Sequence, residues 1–142
     1  MKAAGYSGTP LERKLGLKDG QKVAFVALPD DLGGLTRVCS FGETMILSPE
    51  RLAEIGSGLD VIMFFTKARS VLESQAGRLR TAIRPDGMVW ICWPKKASKV
   101  ATDMTEDVVR EVLLPGGLVD VKVCAVDEVW SGLKLVIRKE LR

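Results

Sequence analysis

A chain of 142 residues fits a single domain, 1–142, and is long enough to bury a hydrophobic core. Hydrophobic residues make up 46% of it, yet no apolar run approaches the roughly 18 residues needed to cross a bilayer, and no secretory signal is evident. The net charge of +3 is too weak for a dedicated nucleic-acid-binding protein. We therefore expect a cytoplasmic domain that binds neither membrane nor nucleic acid.

The chain has no histidine, which removes a large group of catalytic mechanisms. Nucleophiles activated by histidine, histidine-ligated metals and histidine acid/base catalysis are all excluded. The three cysteines, Cys39, Cys92 and Cys124, are widely spaced and form no CxxC pair. Neither a disulfide framework nor a thiolate zinc site is therefore expected, and this cysteine usage is typical of a reducing compartment.

Turns and caps punctuate the chain at regular intervals. Apolar runs of strand length predict strands, in chain order, at 22–28, at either 36–39 or 44–47, and at 60–65, 88–93, 119–126 and 133–138. Caps, prolines and partial apolar stripes predict helices from about 10 to 15, at 49–55, at 67–83, and from a cap at Asp103 or Thr105 to 113. The segment 84–87 is predicted to be a turn because it contains proline, aspartate and glycine.

Strands that alternate with helices predict an α/β fold. We expect a three-layer Rossmann-like arrangement, with a mostly parallel sheet and helices on both of its faces, because right-handed crossovers place the helices there. Only about six residues separate the last two predicted strands, too few for a crossover helix. The sequence therefore predicts an antiparallel pair of strands at the C-terminal end of the chain.

The turn after the first strand is unusual for such a fold. Nucleotide-binding chains place glycines there so that the backbone can approach a phosphate. Here Pro29 removes an N–H group, Asp30 and Asp31 add negative charge, and the glycines at 33–34 come too late to form the turn. Adjacent aspartates in this position are more typical of a helix cap than of a magnesium site. We expect no bound cofactor, although S-adenosylmethionine is not excluded.

Two resemblances follow from the order of these segments. The first helix, the segments 16–23, 59–63 and 83–89, and the terminal strand pair together resemble a degenerate S-adenosylmethionine-dependent methyltransferase fold. The strings at 4–11, 93–98, 105–110 and 127–132 more closely resemble the bacterial domain-of-unknown-function family 3052. The first resemblance implies the fold of a methyltransferase, and the second implies no particular reaction.

Ligands of open α/β sheets bind beyond the carboxyl ends of the strands, so the segments 28–30, 66–67 and 93–96 are expected to converge. The strongest candidate site follows the fourth predicted strand. There Trp93 could stack on a planar ligand, a lysine could contact an anionic group, and hydroxyls could donate hydrogen bonds. The polar residues of this candidate site are Lys95, Lys96, Lys99, Ser98 and Thr102. The alternative is a core tryptophan beside a solvated loop of lysines.

A second candidate cluster lies between the last two strands. Asp127 and Glu128 precede Trp130, and paired carboxylates can act as acid and base or bind a hard cation. The alternative is a simple hairpin connection in which Trp130 covers the edge of the sheet. The segment around Tyr6 and Thr9 could also supply hydroxyls to a pocket, or could only cap the first helix.

Three functions from different classes agree with these patterns. The favoured one is a non-catalytic binding domain on a methyltransferase-like scaffold, with an anionic small molecule or a protein partner bound at 93–99. A divergent S-adenosylmethionine-dependent methyltransferase is the first alternative. The second is an oligomerisation or interaction module, including a homo-oligomer, that uses the terminal strands and exposed tryptophans, since tryptophan is enriched in binding hot spots.

Overall fold

The computed structural model describes residues 10–142, which form a six-stranded sheet with helices packed on it. The strands are β1 (Lys22–Val26), β2 (Glu43–Leu47), β3 (Leu59–Phe65), β4 (Ile83–Pro94), β5 (Leu118–Ala125) and β6 (Trp130–Ile137). The α-helices are α1 (Leu11–Lys14), α2 (Arg69–Ala82) and α3 (Glu106–Leu113). Short 3₁₀ segments span Asp30–Arg37, Pro49–Glu54, Lys96–Ser98, Leu114–Gly116 and Lys139–Leu141.

The sheet is mostly parallel, as predicted. Its strand order is β2-β1-β3-β4-β6-β5, and the four strands from β2 to β4 in this order run parallel to one another. Strand β6 lies between β4 and β5 and is antiparallel to both of them. The connection between β5 and β6 is a short hairpin, so the predicted antiparallel C-terminal pair is confirmed.

Each face of the sheet carries its own hydrophobic core because side chains alternate along the strands. In β1, for example, Ala24 and Val26 point to one face while Val23 and Phe25 point to the other. Helices α2 and α3 and the segment Pro49–Glu54 cover the first face. Helix α1 and the segment Asp30–Arg37 cover the second face. The predicted three-layer arrangement with helices on both faces is thereby confirmed.

Three local predictions are settled by the structure. Of the two alternatives for the second strand, 44–47 is correct, and the first part of 36–39 belongs to a 3₁₀ segment. The helix predicted at 49–55 is a 3₁₀ segment that ends at Glu54. The cap of α3 is Thr105, whose hydroxyl accepts a hydrogen bond from the Val108 N–H at 3.1 Å.

The turn predicted at 84–87 is wrong, since these residues continue β4 as a bulge. Leu59 is the partner of Ile83, but Val61 is the partner of Met88, so one residue of β3 faces four of β4. The chain remains extended here because Gly87 packs against the neighbouring backbone. A Cβ at Gly87 would lie 3.0 Å from the carbonyl oxygen of Leu59, a tight contact that would require the neighbouring backbone to shift.

All three tryptophans are buried in the sheet and its connections. Trp90 has no exposed surface, Trp93 is 6% exposed and Trp130 is 8% exposed. The indole N–H of Trp90 donates a hydrogen bond to the carbonyl of Leu15 at 2.9 Å, which fixes the loop after α1 to the core. The expectation of exposed tryptophans is therefore wrong, because each ring fills space beneath or between covering segments. Within residues 10–142, no helix has the length and hydropathy required to cross a membrane.

Candidate functional site

The carboxyl ends of β1, β3 and β4 lie side by side, as expected for neighbouring parallel strands. The chain leaves β1 toward β2 on one side, whereas β3 lies on the other side, so a topological switch point falls between β1 and β3. A cleft of about 390 Å³, here called the switch-point cleft, opens at this point. Its lining is Ala27, Pro29, Pro49, Phe65, Thr66, Lys67, Ala68, Val71 and Trp130.

A second cleft, here called the loop cleft, lies beyond the end of β4. Its volume is about 580 Å³. It is lined by Trp93, Pro94, Lys96, Lys99, Val100, Ala101, Thr102, Met104, Thr105 and Glu106. The structure thus brings four residues of the predicted site to one cavity, namely Trp93, Lys96, Lys99 and Thr102.

The loop between β3 and α2 contributes to the switch-point cleft and is held by the loop that lines the other cleft. The carbonyl of Lys67 accepts hydrogen bonds from the Thr102 hydroxyl at 2.7 Å and from the Asp103 N–H at 3.3 Å. A carboxylate oxygen of Asp103 accepts the N–H of Arg69 at 2.7 Å. This carboxylate takes the position at the start of α2 where an anionic ligand would otherwise bind.

The turn after β1 has no glycine and no phosphate-binding geometry. Ala27 adopts a left-handed conformation with a φ of 55°, which is uncommon for a residue with a side chain. The 3₁₀ segment after it is preceded by Pro29 and carries Asp30 and Asp31 in its first turn. Pro29, which lines the switch-point cleft, has no N–H to donate to an anion, and the two carboxylates that follow it add negative charge beside the cleft.

The hydroxyls predicted to bind a ligand already donate to the backbone. Ser98 donates its hydroxyl hydrogen to the Lys95 carbonyl at 2.6 Å, and Thr102 donates to the Lys67 carbonyl as described above. A hydroxyl has a single hydrogen to donate, so neither residue has one left for a ligand. Lys95 does not line the loop cleft, and its N–H donates to the carbonyl of Val129 at 2.7 Å.

The loop cleft has a positive rim. Lys96 and Lys99 are exposed on it, and within the described part of the chain neither forms an ion pair. The one carboxylate of the lining, Glu106, is paired with Arg110, which also contacts Asp120 at 2.9 Å. The two lysine charges therefore remain available to an anion, with the apolar surface of Trp93 beside them.

The second predicted cluster is a hairpin connection. One carboxylate oxygen of Asp127 accepts the N–H of Val129 at 2.9 Å and that of Trp130 at 2.7 Å, which closes the turn between β5 and β6. Glu128 is exposed to solvent on this turn. Trp130 packs edge-to-face on Phe65, with ring centroids 5.4 Å apart, and forms a wall of the switch-point cleft. Tyr6 lies outside the described residues.

The structure gives no candidate nucleophile or metal centre among residues 10–142. Burial raises the pKa of the thiols of Cys39, Cys92 and Cys124, most strongly that of Cys92, so all three stay protonated at neutral pH. No group of three or more histidine, cysteine, aspartate or glutamate side chains in this range is arranged to hold a metal ion.

Several residues of the switch-point cleft were not predicted from the sequence. Pro49 lies two residues beyond β2, whose position the sequence left open between two alternatives. Ala68 and Val71 come from the start of α2, and they carry no chemical signal that distinguishes them from core residues. Alternating apolar positions report burial, whereas a cleft wall depends on which loops meet at the sheet edge.

The fold is that of the S-adenosylmethionine-dependent methyltransferases. A TehB-like SAM-dependent methyltransferase from Corynebacterium glutamicum superimposes with a TM-score of 0.63 and 12% identity, covering 95% of this chain and 91% of that chain. A SAM-dependent methyltransferase from Aquifex aeolicus gives a TM-score of 0.62 and 14% identity, with coverages of 88% and 86%. No protein-family model matches the sequence, and no curated protein matches it. At these identities the likeness concerns the fold alone.

Proposed function

We propose that this domain binds an anionic small molecule with a planar apolar part in the loop cleft, and that it catalyses no reaction there. The observation that carries the proposal is the pair of lysines, Lys96 and Lys99, on the rim of a cleft that Trp93 lines. Lysine ammonium groups bind anions as point charges, and an aromatic wall adds a surface for stacking.

The absence of catalysis is proposed because the loop cleft lacks a group suited to proton transfer or nucleophilic attack. Of the two hydroxyls in its lining, Thr102 donates to the Lys67 carbonyl and Thr105 caps α3, and Glu106 is held by Arg110. A general base must reach the proton that it removes, whereas the Glu106 carboxylate is directed toward the Arg110 guanidinium. The remaining groups can hold and orient an anion.

The experiment is a calorimetric titration with 2-naphthalenesulfonate, a planar aromatic anion. We expect the double variant Lys96→Ala with Lys99→Ala to lose at least about tenfold in affinity, which is about 1.4 kcal/mol. Lys95→Ala is the matched control because Lys95 lies on the same loop but outside the cleft, and its affinity is expected to stay within about twofold. Equal losses of affinity in the double variant and in Lys95→Ala, or no loss in the double variant, would show that the anion does not bind at Lys96 and Lys99.

A second candidate function is binding of S-adenosylmethionine or a related nucleoside in the switch-point cleft. The methyltransferase fold and the largely apolar lining support it, because such walls suit a planar base. Glu50, three residues beyond β2, is an exposed carboxylate whose pKa is lowered by hydrogen bonds from its own backbone and from Ser48. It could accept hydrogen bonds from ribose hydroxyls. The acidic turn at Asp30 and Asp31 disfavours the carboxylate end of the cofactor.

Calorimetry with S-adenosylmethionine and S-adenosylhomocysteine separates the two candidates. No binding is expected if the acidic turn has removed the cofactor site. Micromolar affinity for either compound would overturn our preference for a binding domain without the cofactor. Glu50→Gln would then be expected to weaken binding, whereas Lys96→Ala would have no effect.

Partner binding or self-association is a third candidate function, for which the support is the exposed edge of the sheet. Strand β5 is an edge of the sheet and exposes Val119, Val121 and Val123. However, its pairing with β6 is interrupted between Asp120 and Lys122, and bulges and edge lysines discourage pairing with another strand. A dilution series followed by light scattering tests self-association, for which we expect a monomer.

We also propose a cytoplasmic location and membership of the bacterial family 3052. The second proposal is supported by the four strings at 4–11, 93–98, 105–110 and 127–132.

A further inference from the structure

A third cleft lies at the opposite end of the parallel strands and is distinct from the two clefts at the carboxyl edge. We call it the amino-end cleft, and its volume is about 300 Å³. It is lined by Gly16, Lys18, Gln21, Asp60, Asp86, Gly87, Met88, Lys134 and Val136. Most of these residues come from the loop before β1, from the bulge of β4 and from β6.

Lysines crowd together at this cleft. Lys134 on β6 is the direct cross-strand partner of Lys122 on β5, and like charges in this position are destabilising. Lys18, from the loop after α1, lines the cleft together with Lys134. Burial lowers the pKa of Lys134, and the positive charges of Lys122 and Lys18 lower it further. Lys122 and Lys18 therefore both lie close enough to Lys134 to repel its ammonium group.

The carboxylates in the same cleft are already engaged elsewhere. Asp60 accepts the N–H of Lys22 at 2.8 Å and contacts the Arg84 guanidinium at 3.4 Å. Asp86 contacts the same guanidinium at 3.5 Å. Among residues 10–142, none of the three lysines forms an ion pair. The lysine charges thus lack a counter-ion within the part of the chain that is described.

The amide of Gln21 forms hydrogen bonds to its own loop. Its oxygen accepts the N–H of Lys18 at 2.8 Å, and its nitrogen donates to the carbonyl of Gly16 at 3.1 Å. These bonds hold the loop that carries Lys18 against the first strand. The position of Lys18 relative to the sheet is therefore fixed by the fold.

We propose that the amino-end cleft binds a phosphate-type oxyanion between the ammonium groups of Lys18 and Lys134. Lys122 adds to the positive field from the adjacent strand. Lysine is well suited to phosphate as a point charge, and a bound dianion replaces the mutual repulsion of the lysines with attraction. The site takes a free phosphate or the phosphate group of a small molecule, and it is independent of the loop cleft.

The test is a titration of the whole protein with inorganic phosphate at constant ionic strength, followed by calorimetry. We expect Lys134→Met and Lys18→Met each to weaken phosphate binding by about tenfold or more, because each removes one of two direct charges. Methionine keeps most of the apolar stem, so the packing changes little. The matched control is Lys139→Met, because Lys139 is exposed and lines none of the three clefts, and this variant is expected to keep phosphate affinity within about twofold.

A thermal melt with and without phosphate keeps the test decisive. In phosphate-free buffer, Lys134→Met is expected to melt at a higher temperature than the wild type, because it removes a like-charge contact. Added phosphate is expected to raise the melting temperature of the wild type but not of this variant. No phosphate binding by the wild type, equal binding by Lys134→Met, or loss of binding in Lys139→Met would each overturn the proposal. None of these results depends on whether the loop cleft binds the naphthalenesulfonate.

Discussion

The connection after β1 and the connection after β4 leave the same edge of the sheet with opposite chemistry. The first contains Pro29 and presents Asp30 and Asp31, whereas the second presents Lys96 and Lys99 beside an aromatic wall. Both follow buried parallel strands, so the difference is not one of fold. The same methyltransferase-like sheet can therefore place an anion-binding site at a different connection of its carboxyl edge.

The connection after β3 agrees with this comparison. Helix α2 begins there, and its first N–H groups would attract an anion if they were free. The carboxylate of Asp103 accepts the N–H of Arg69 at this position and so supplies the negative charge from within the chain. The same connection carries one exposed lysine, Lys67, which lines the switch-point cleft. The connection after β4 differs because it places two exposed lysines, Lys96 and Lys99, in one cleft.

The largest expected effect is a loss of stability at the switch-point cleft that leaves anion binding at the loop cleft unchanged. Trp130→Ala removes a buried ring that packs on Phe65 and walls the switch-point cleft, so we expect a loss of about 3–5 kcal/mol in the free energy of unfolding. Urea denaturation measures it. Trp130→Phe is the control, since it keeps an aromatic ring and is expected to lose less. Anion affinity at the loop cleft is expected to survive in both variants, and its disappearance from the folded Phe variant would mean that the two clefts act as one site.

The second effect concerns the helix start that Asp103 fills. Asp103→Ala removes the acceptor of the Arg69 N–H, and loss of such a cap costs about 0.5–2 kcal/mol. Asp103→Asn keeps an oxygen in the same place and is expected to cost less. Both values come from urea denaturation. If the two variants were equally destabilised, the contribution of this carboxylate would be the charge alone rather than the hydrogen bond.

A smaller effect, of opposite sign, is expected at the turn after β1. Ala27 has a φ of 55°, and a left-handed conformation costs a residue with a Cβ about 1–2 kcal/mol relative to glycine. Ala27→Gly relieves this cost but gains entropy in the unfolded chain, so we expect a net stabilisation of up to about 1 kcal/mol. Ala53→Gly, at an exposed site in the segment Pro49–Glu54, is the control and is expected to destabilise by about 0.5–1 kcal/mol. Destabilisation of similar size at both positions would show that the turn is not strained.

Much of this fold could be predicted because its signals are local. Apolar runs located β3 and the last part of β4, and the short spacing near the C-terminus predicted the antiparallel hairpin. The bulge at 84–87 was missed because proline, aspartate and glycine are typical of turns, whereas the extended conformation depends on contact with Leu59. Residue types indicate the conformation that a segment prefers in isolation, whereas pairing with the neighbouring strand determines the conformation that it adopts in the fold.

The candidate site was predicted in position more closely than in detail. Trp93 and Lys96 do line one cleft after β4, since the end of a parallel strand fixes their place. The engagement of the Ser98 and Thr102 hydroxyls depends on hydrogen bonds across loops, which the residue types do not reveal. The amino-end cleft was missed for the same reason, because Lys122 and Lys134 become neighbours only through the register of β5 and β6.

The smallest expected effect is a pH dependence at the amino end of the sheet. Burial and two neighbouring lysines lower the pKa of Lys134 in the folded protein, so the unfolded chain binds more protons between the two pKa values. Stability is therefore expected to rise as the pH increases from the lowered pKa of Lys134 toward the ordinary value for lysine. Urea denaturation across this alkaline range measures the slope for the wild type and for Lys134→Met, in which we expect it to be flatter.

Salt distinguishes the two causes of that slope. Repulsion from Lys122 and Lys18 is screened over about 10 Å at 0.1 M salt, whereas the desolvation of the buried ammonium is not. Raising the salt concentration is therefore expected to reduce the slope of the wild type without removing it. If the slope vanished entirely in salt, the lowered pKa of Lys134 would come from the neighbouring charges alone. If salt left the slope unchanged, repulsion among the lysines would be negligible, and the proposed anion site at this end would lose its basis. The amino-end cleft thus resembles the connection after β4 and differs from the connection after β1. In all three places, the sign of the charges without an ion pair determines whether an anion can bind.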